Sequence, residues 1–83
     1  MKKQRKMFDI TIKNLLQIGS VHNYLQENWD KKVIRVKITE DNFVKRNHLY
    51  ISSFWGVNAL YQYLLTHWAQ HTIHIVIWED NTF

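Results

Sequence analysis

Polar and apolar residues alternate with a period of two in four separate stretches of this chain, and between them the period lengthens to that of a helix. From Met7 to Lys13, Phe8, Ile10 and Ile12 fall on one side and Asp9, Thr11 and Lys13 on the other, which predicts a strand. Asn14 to Gly19 reads as its exit. Ser20 is then a candidate N-cap for a helix whose inward stripe is Val21, Tyr24, Leu25 and Trp29. Lys32 to Thr39 alternates again, with Ile34, Val36 and Ile38 opposite Val33, Arg35, Lys37 and Thr39. Glu40 to Asn47 reads as a polar connection. Lys45 to Phe54 contains a third strand, with Leu49, Ile51 and Ser53 on one face and His48, Tyr50 and Ser52 on the other. Val57, Leu60, Tyr61, Leu64 and Trp68 predict a second helix over Trp55 to Gln70, and Thr72 to Trp78 closes the series with Ile73, Ile75 and Ile77 inward.

The order strand, helix, strand, strand, helix, strand predicts an α+β fold of the ferredoxin-like, split βαββαβ class. Right-handed crossovers then favour a four-stranded antiparallel sheet with both helices on one face. The expected strand order is 4-1-3-2, with the first and third strands central. The other face is left open, carrying Asp9, Thr11, Lys13, Val33, Arg35, Lys37, His48, Tyr50, Ser52, His74, Val76 and Trp78. Cations among aromatics and imidazoles suit a single-stranded nucleic acid, because phosphates attract the cations and every base has a face to stack.

Composition adds three constraints. With 83 residues, 46% of them hydrophobic, there is enough for one domain with one core. The net charge of +4 is not spread evenly. Lys2, Lys3, Arg5 and Lys6 lie at the start, and the seven remaining basic residues are matched by seven acids. The expectation is therefore a flexible basic tail over residues 1–6, a domain over 7–80 and a short end at 81–83. Such a tail attracts phosphate non-specifically. The absence of cysteine removes disulfides and thiolate metal sites. No apolar run reaches the ~18 residues that span a bilayer, so a cytoplasmic protein without a membrane partner is expected.

The segment Ile10-Thr11-Ile12-Lys13-Asn14-Leu15 and the octamer Arg46 to Ser53 resemble the two short motifs of RNA recognition motif domains, a likeness that would extend from Phe8 to Trp78. Ala59 falls where that family places a small residue on its second helix. Thr11 stands where the family has an aromatic, Asn47 where it has glycine, Leu49 where it has a small residue, and Ser53 where it has a second aromatic. The resemblance thus implies base stacking on Tyr50, with His48 second to it.

Taken together, the expected nucleic-acid contacts are Tyr50, His48, Lys13, Arg35, Lys37, His74, Trp78, Lys45 and Arg46, with Lys2, Lys3, Arg5 and Lys6 from the tail. RNA is placed ahead of DNA. The alternative is a small non-catalytic interaction module, such as a viral or mobile-element accessory factor or a subunit of a larger complex, that docks or dimerises through the sheet. His67-x-x-x-His71-x-x-His74 has spacing compatible with zinc, but with no cysteine to support it the expectation is no metal and no cofactor. No glycine-rich phosphate loop, strained serine turn or paired-acid motif is present, so no enzyme is expected.

Overall fold

The computed structural model describes residues 4–80. Six elements follow in the expected order: β1 (Gln4–Thr11), α1 (Leu15–Asn28), β2 (Val33–Glu40), β3 (Phe43–Ile51), α2 (Phe54–His67) and β4 (Ile73–Asp80). The four strands form one antiparallel sheet, and both helices contribute to a single core against one of its faces. The fold is thus the α+β, βαββαβ arrangement that the alternation predicts. Ile18, Val21 and Leu25 of α1 and Val57, Leu60 and Leu64 of α2 meet Ile34, Val36 and Ile38 of β2 and Ile73, Ile75 and Ile77 of β4.

Across the sheet the order is β1-β4-β2-β3. The neighbour pairs β1–β4 and β2–β3 are those expected of 4-1-3-2. They join through β4 and β2, however, and not through β1 and β3, so β1 and β3 become the two edges. Both ways of joining let each strand–helix–strand unit skip one strand, and both keep the β2–β3 hairpin, so connection rules do not separate them. Burial does. β4 contributes Ile73, Ile75, Val76 and Ile77 to the interior and β2 contributes Ile34, Val36 and Ile38. β3 instead presents Lys45, Arg46, Asn47 and His48 in succession, all exposed, as suits a strand whose outer edge meets water.

Element boundaries also move, each for a local reason. α1 starts at Leu15, ahead of the expected cap at Ser20, because Asn14 caps it, its side chain accepting from the Gln17 N–H at 3.0 Å. Ser20 lies inside the helix, its hydroxyl donating to the Leu16 carbonyl. α2 is capped by Ser53, which accepts from the Gly56 N–H, and ends at His67 rather than Gln70. The connection between β2 and β3 shrinks to Asp41-Asn42, both at positive φ (52° and 70°), the signature of a two-residue type I′ hairpin. Phe43 and Val44 therefore belong to β3. At the other end, Arg5 and Lys6 are strand residues opposite Glu79 and Trp78, so β1 takes in half of the expected basic tail. Lys2 and Lys3 lie outside the described residues.

Candidate nucleic-acid interface

The strand register decides which side chains share the face away from the helices. Thr11 pairs with His74, Asp9 with Val76 and Lys6 with Trp78 across β1 and β4, and Arg35 pairs with both Trp78 and Tyr50. This face therefore does carry most of the expected residues. However, it divides into two unlike halves.

The β1–β4 half is already satisfied from within. Asp9 binds Lys6 at 3.2 Å and His74 at 2.6 Å, and His74 reaches Thr11 at 3.0 Å through its other ring nitrogen. Hydrogen bonds from His74 and then Lys6 hold the Asp9 carboxyl below its ordinary value. Arg5, whose pairing sets it on the helix side, lies 3.9 Å from buried Glu79. Lys13 is past the end of β1, in the turn before α1, and shares no platform with Tyr50 because β1 and β3 are opposite edges.

The β2–β3 half has a different character. Arg35 lies over the Trp78 ring with its guanidinium carbon 3.8 Å from the centroid, and it also donates to the Asn47 carbonyl at 3.2 Å. That stack covers one face of Trp78 and fixes the guanidinium. Tyr50 stands beside it, 56% exposed, on a strand position where the core makes no demand for an aromatic. Trp29, Asp30, Lys32, Val33, Tyr50 and Ser52 are among the residues that line a hollow of about 340 Å³ there. Lys37 is half-buried on β2, and His48 is exposed on β3.

Lys45 and Arg46 are exposed on β3 but not on the open face. Register shifts on either side of Ile38 set Arg46 opposite that core residue, and both cations line a groove of about 650 Å³ between β3 and α2. Leu49, Ala59, Leu60 and Tyr63 form its walls, and Glu40 and His67 close one end. The β3 edge is thus flanked by Arg35 and Lys37 on one side and by Lys45 and Arg46 on the other. Among the described residues none of these four cations forms an ion pair with an acid, and the sequence from Asn42 to Trp78 contains no acid at all.

Two features at the hairpin end depart from the sequence expectation. Phe43 is 72% exposed on β3 and not part of a loop; the Asp-Asn pair between two apolar runs is the signal for its strand. The other feature is a cluster of Glu40, Asp41, His67 and His71, in which the acids come from the last residue of β2 and the turn after it, and no local spacing announces them. His74, in line with His67 and His71 by spacing, is on the opposite face with Asp9. No helix among the described residues is long and apolar enough to cross a membrane. Comparison with known proteins returns no match to a family model, a curated protein or a solved structure.

Proposed function

We propose that this chain binds single-stranded nucleic acid over the β3 edge rather than across the middle of the sheet. The observation that carries this reading is the set of four cations outside any ion pair among the described residues, Arg35 and Lys37 on the face of exposed Tyr50 and Lys45 and Arg46 on the groove side of the same edge. A flexible strand can follow the cations with its phosphates while a base stacks on Tyr50, and the hollow bounded by Trp29 and Tyr50 offers a place for it. His48, on the same strand, adds a second planar donor. Trp78 and His74 act differently from a simple platform: Trp78 orients Arg35, and His74 is tied to Asp9.

The test is a titration of labelled single-stranded RNA and DNA, by fluorescence anisotropy, at two salt concentrations. Tyr50→Ala is expected to lose about 1–3 kcal/mol of affinity and Tyr50→Phe little, since stacking needs the ring rather than the hydroxyl. Lys45→Ala with Arg46→Ala is expected to flatten the salt dependence by roughly 0.7 for each phosphate that is no longer neutralised.

A second reading, a non-catalytic interaction module, rests on β3 itself. Its nine residues pair with β2 on one side only, and Phe43, Val44 and Tyr50 are exposed along it. Such an edge accepts a further strand, including one from a second copy. Absence of binding to either nucleic acid at low salt, with a solution mass twice that of the chain, would favour this reading over the first.

A further inference from the structure

We infer a divalent transition-metal site, zinc being the best fit, formed by Glu40, His67 and His71 at the hairpin end of the groove. Each of these residues offers one ligand atom, and the three atoms lie within 4.8 Å of one another. The Nδ1 atoms of His67 and His71 are 3.7 and 3.5 Å from the two Glu40 carboxylate oxygens. Ligand atoms on a tetrahedral zinc with bonds of ~2.0–2.1 Å stand about 3.3–3.4 Å apart, so small side-chain movements complete the geometry. Two imidazoles and one carboxylate are also a donor set that favours zinc over the harder, oxygen-seeking magnesium and calcium.

The backbone holds these groups in place. His67 is the last residue of α2, and the His71 N–H donates to the His67 carbonyl at 2.9 Å, carrying the helical spacing on by one turn. Glu40 ends β2 and is almost wholly buried beneath α2, where the Tyr63 hydroxyl donates to it. The Tyr63 ring stacks on His67 with centroids 4.4 Å apart. Beside His71 stands Asp41, 2.6 Å from its Nδ1 and anchored by the Thr72 N–H at 2.9 Å. Asp41 and Glu40 both approach that nitrogen, so an ion either takes Nδ1 from Asp41 or binds Nε2 of a turned ring that Asp41 still holds. Carboxylates placed beside ligating histidines in this way orient the ring and balance charge.

Charge points the same way. Glu40 and Asp41 are adjacent in the chain, and each carboxylate already accepts a hydrogen bond, Glu40 from the Tyr63 hydroxyl and Asp41 from the Thr72 amide. The two carboxylates bring two negative charges to the cluster, which one divalent ion offsets. Lys45 is the nearby cation that competes for them. Glu40 and His67 both line the groove, which leaves a coordination position open to water or to an anionic ligand held by Lys45 and Arg46. The site stands independently of nucleic-acid binding at the β3 edge.

Zinc chloride titrated into the full chain, followed by calorimetry and thermal unfolding, is the direct test. Saturation at one zinc per chain is expected, with a rise in Tm that EDTA reverses and, for cobalt(II) in its place, the visible absorption of a tetrahedral site. His67→Ala, His71→Ala and Glu40→Gln should each weaken binding by more than about tenfold, and Asp41→Asn by about tenfold. His74→Ala, on the opposite face, should leave the affinity unchanged. The groups facing the ion are the two imidazoles, Glu40, Asp41, Tyr63 and Lys45. Folding of every variant is checked by circular dichroism. No saturable zinc binding by the folded wild-type chain would overturn the inference. So would binding that survives removal of both His67 and His71, or that depends equally on His74.

Discussion

Glu79 is the residue on which the interior places its largest electrostatic demand. Its side chain is fully removed from water; the Tyr24 hydroxyl donates to it at 2.5 Å and the Lys32 ammonium at 3.0 and 3.1 Å, and the Arg5 guanidinium adds an ion pair at 3.9 Å. Burial alone would raise its carboxyl, but Tyr24, Lys32 and Arg5 outweigh burial and lower it. A depressed folded value means that the stabilisation is present above the unfolded value, about 4.3, and is lost as pH falls through the folded one. Asp9, Glu40 and Asp41 are lowered too and act in the same direction. Denaturant midpoints should therefore hold steady above about pH 5 and fall below about pH 4. Glu79→Gln should cost about 1–3 kcal/mol near neutrality, since it leaves Lys32 without its charge partner, and should blunt the acid response. Tyr63 gives the opposite limb: burial and the Glu40 carboxylate push its phenol up to about 12, so its contribution is present below the unfolded value of 10 and lost as pH rises past it. The alternation that puts Arg35, Tyr50 and Trp78 on one face is legible in the sequence, because period two is a local property. That Glu79 meets Tyr24 and Lys32, or that Asp9 meets His74, is not, because those partners are joined only once the register is fixed.

Elements were legible where the apolar period was long and uninterrupted, as in β2 and β4, and less so where a cap or turn depended on one side chain. Asn14 followed by Gln17 is close to a capping box: Asn14 accepts from the Gln17 N–H, and the Gln17 side chain accepts from the Lys13 N–H. Asn14→Ala should cost about 1 kcal/mol in chemical denaturation, whereas Ser20→Ala, within the helix, should cost less. The hairpin offers a sharper contrast. At Asn42, with φ of 70°, a β-branched residue faces the Cβ clash that asparagine tolerates and glycine avoids. Asn42→Val should lower stability by about 1–2 kcal/mol while Asn42→Gly remains near wild type. Strain at this turn would also reach the α2–β4 loop, because Asp41 bonds Thr72 through both backbone and side chain.

At the scale of the whole molecule, the class of fold followed from the order of the elements, while the choice of central strands did not, since two ways of joining the same strand pairs obey the same crossover rules. Comparing strands by their aliphatic content separates them: β4 has four aliphatic residues in eight positions (Ile73, Ile75, Val76 and Ile77), and β3 has three in nine (Val44, Leu49 and Ile51). Ile75→Ala, at the centre of β4 and wholly buried, should cost about 2–5 kcal/mol. Leu49→Ala, half-buried on the edge strand, should cost less, and comparison of the two midpoints checks which strand is central. The position of β4 also has a consequence for how the chain is made. The last of the four strands to emerge from a ribosome is the one that lies between β1 and β2, and Thr11 finds its partner His74 63 residues further on. Until β4 has been synthesised, β1 has no neighbour in the sheet and the β2–β3 hairpin stands apart from it. Folding must therefore wait for β4 and then close its most distant pairings together, a slow and all-or-none event for so short a protein. A nascent chain halted at Thr72 should remain sensitive to protease along its length, and a separate peptide carrying β4 should be able to restore the fold.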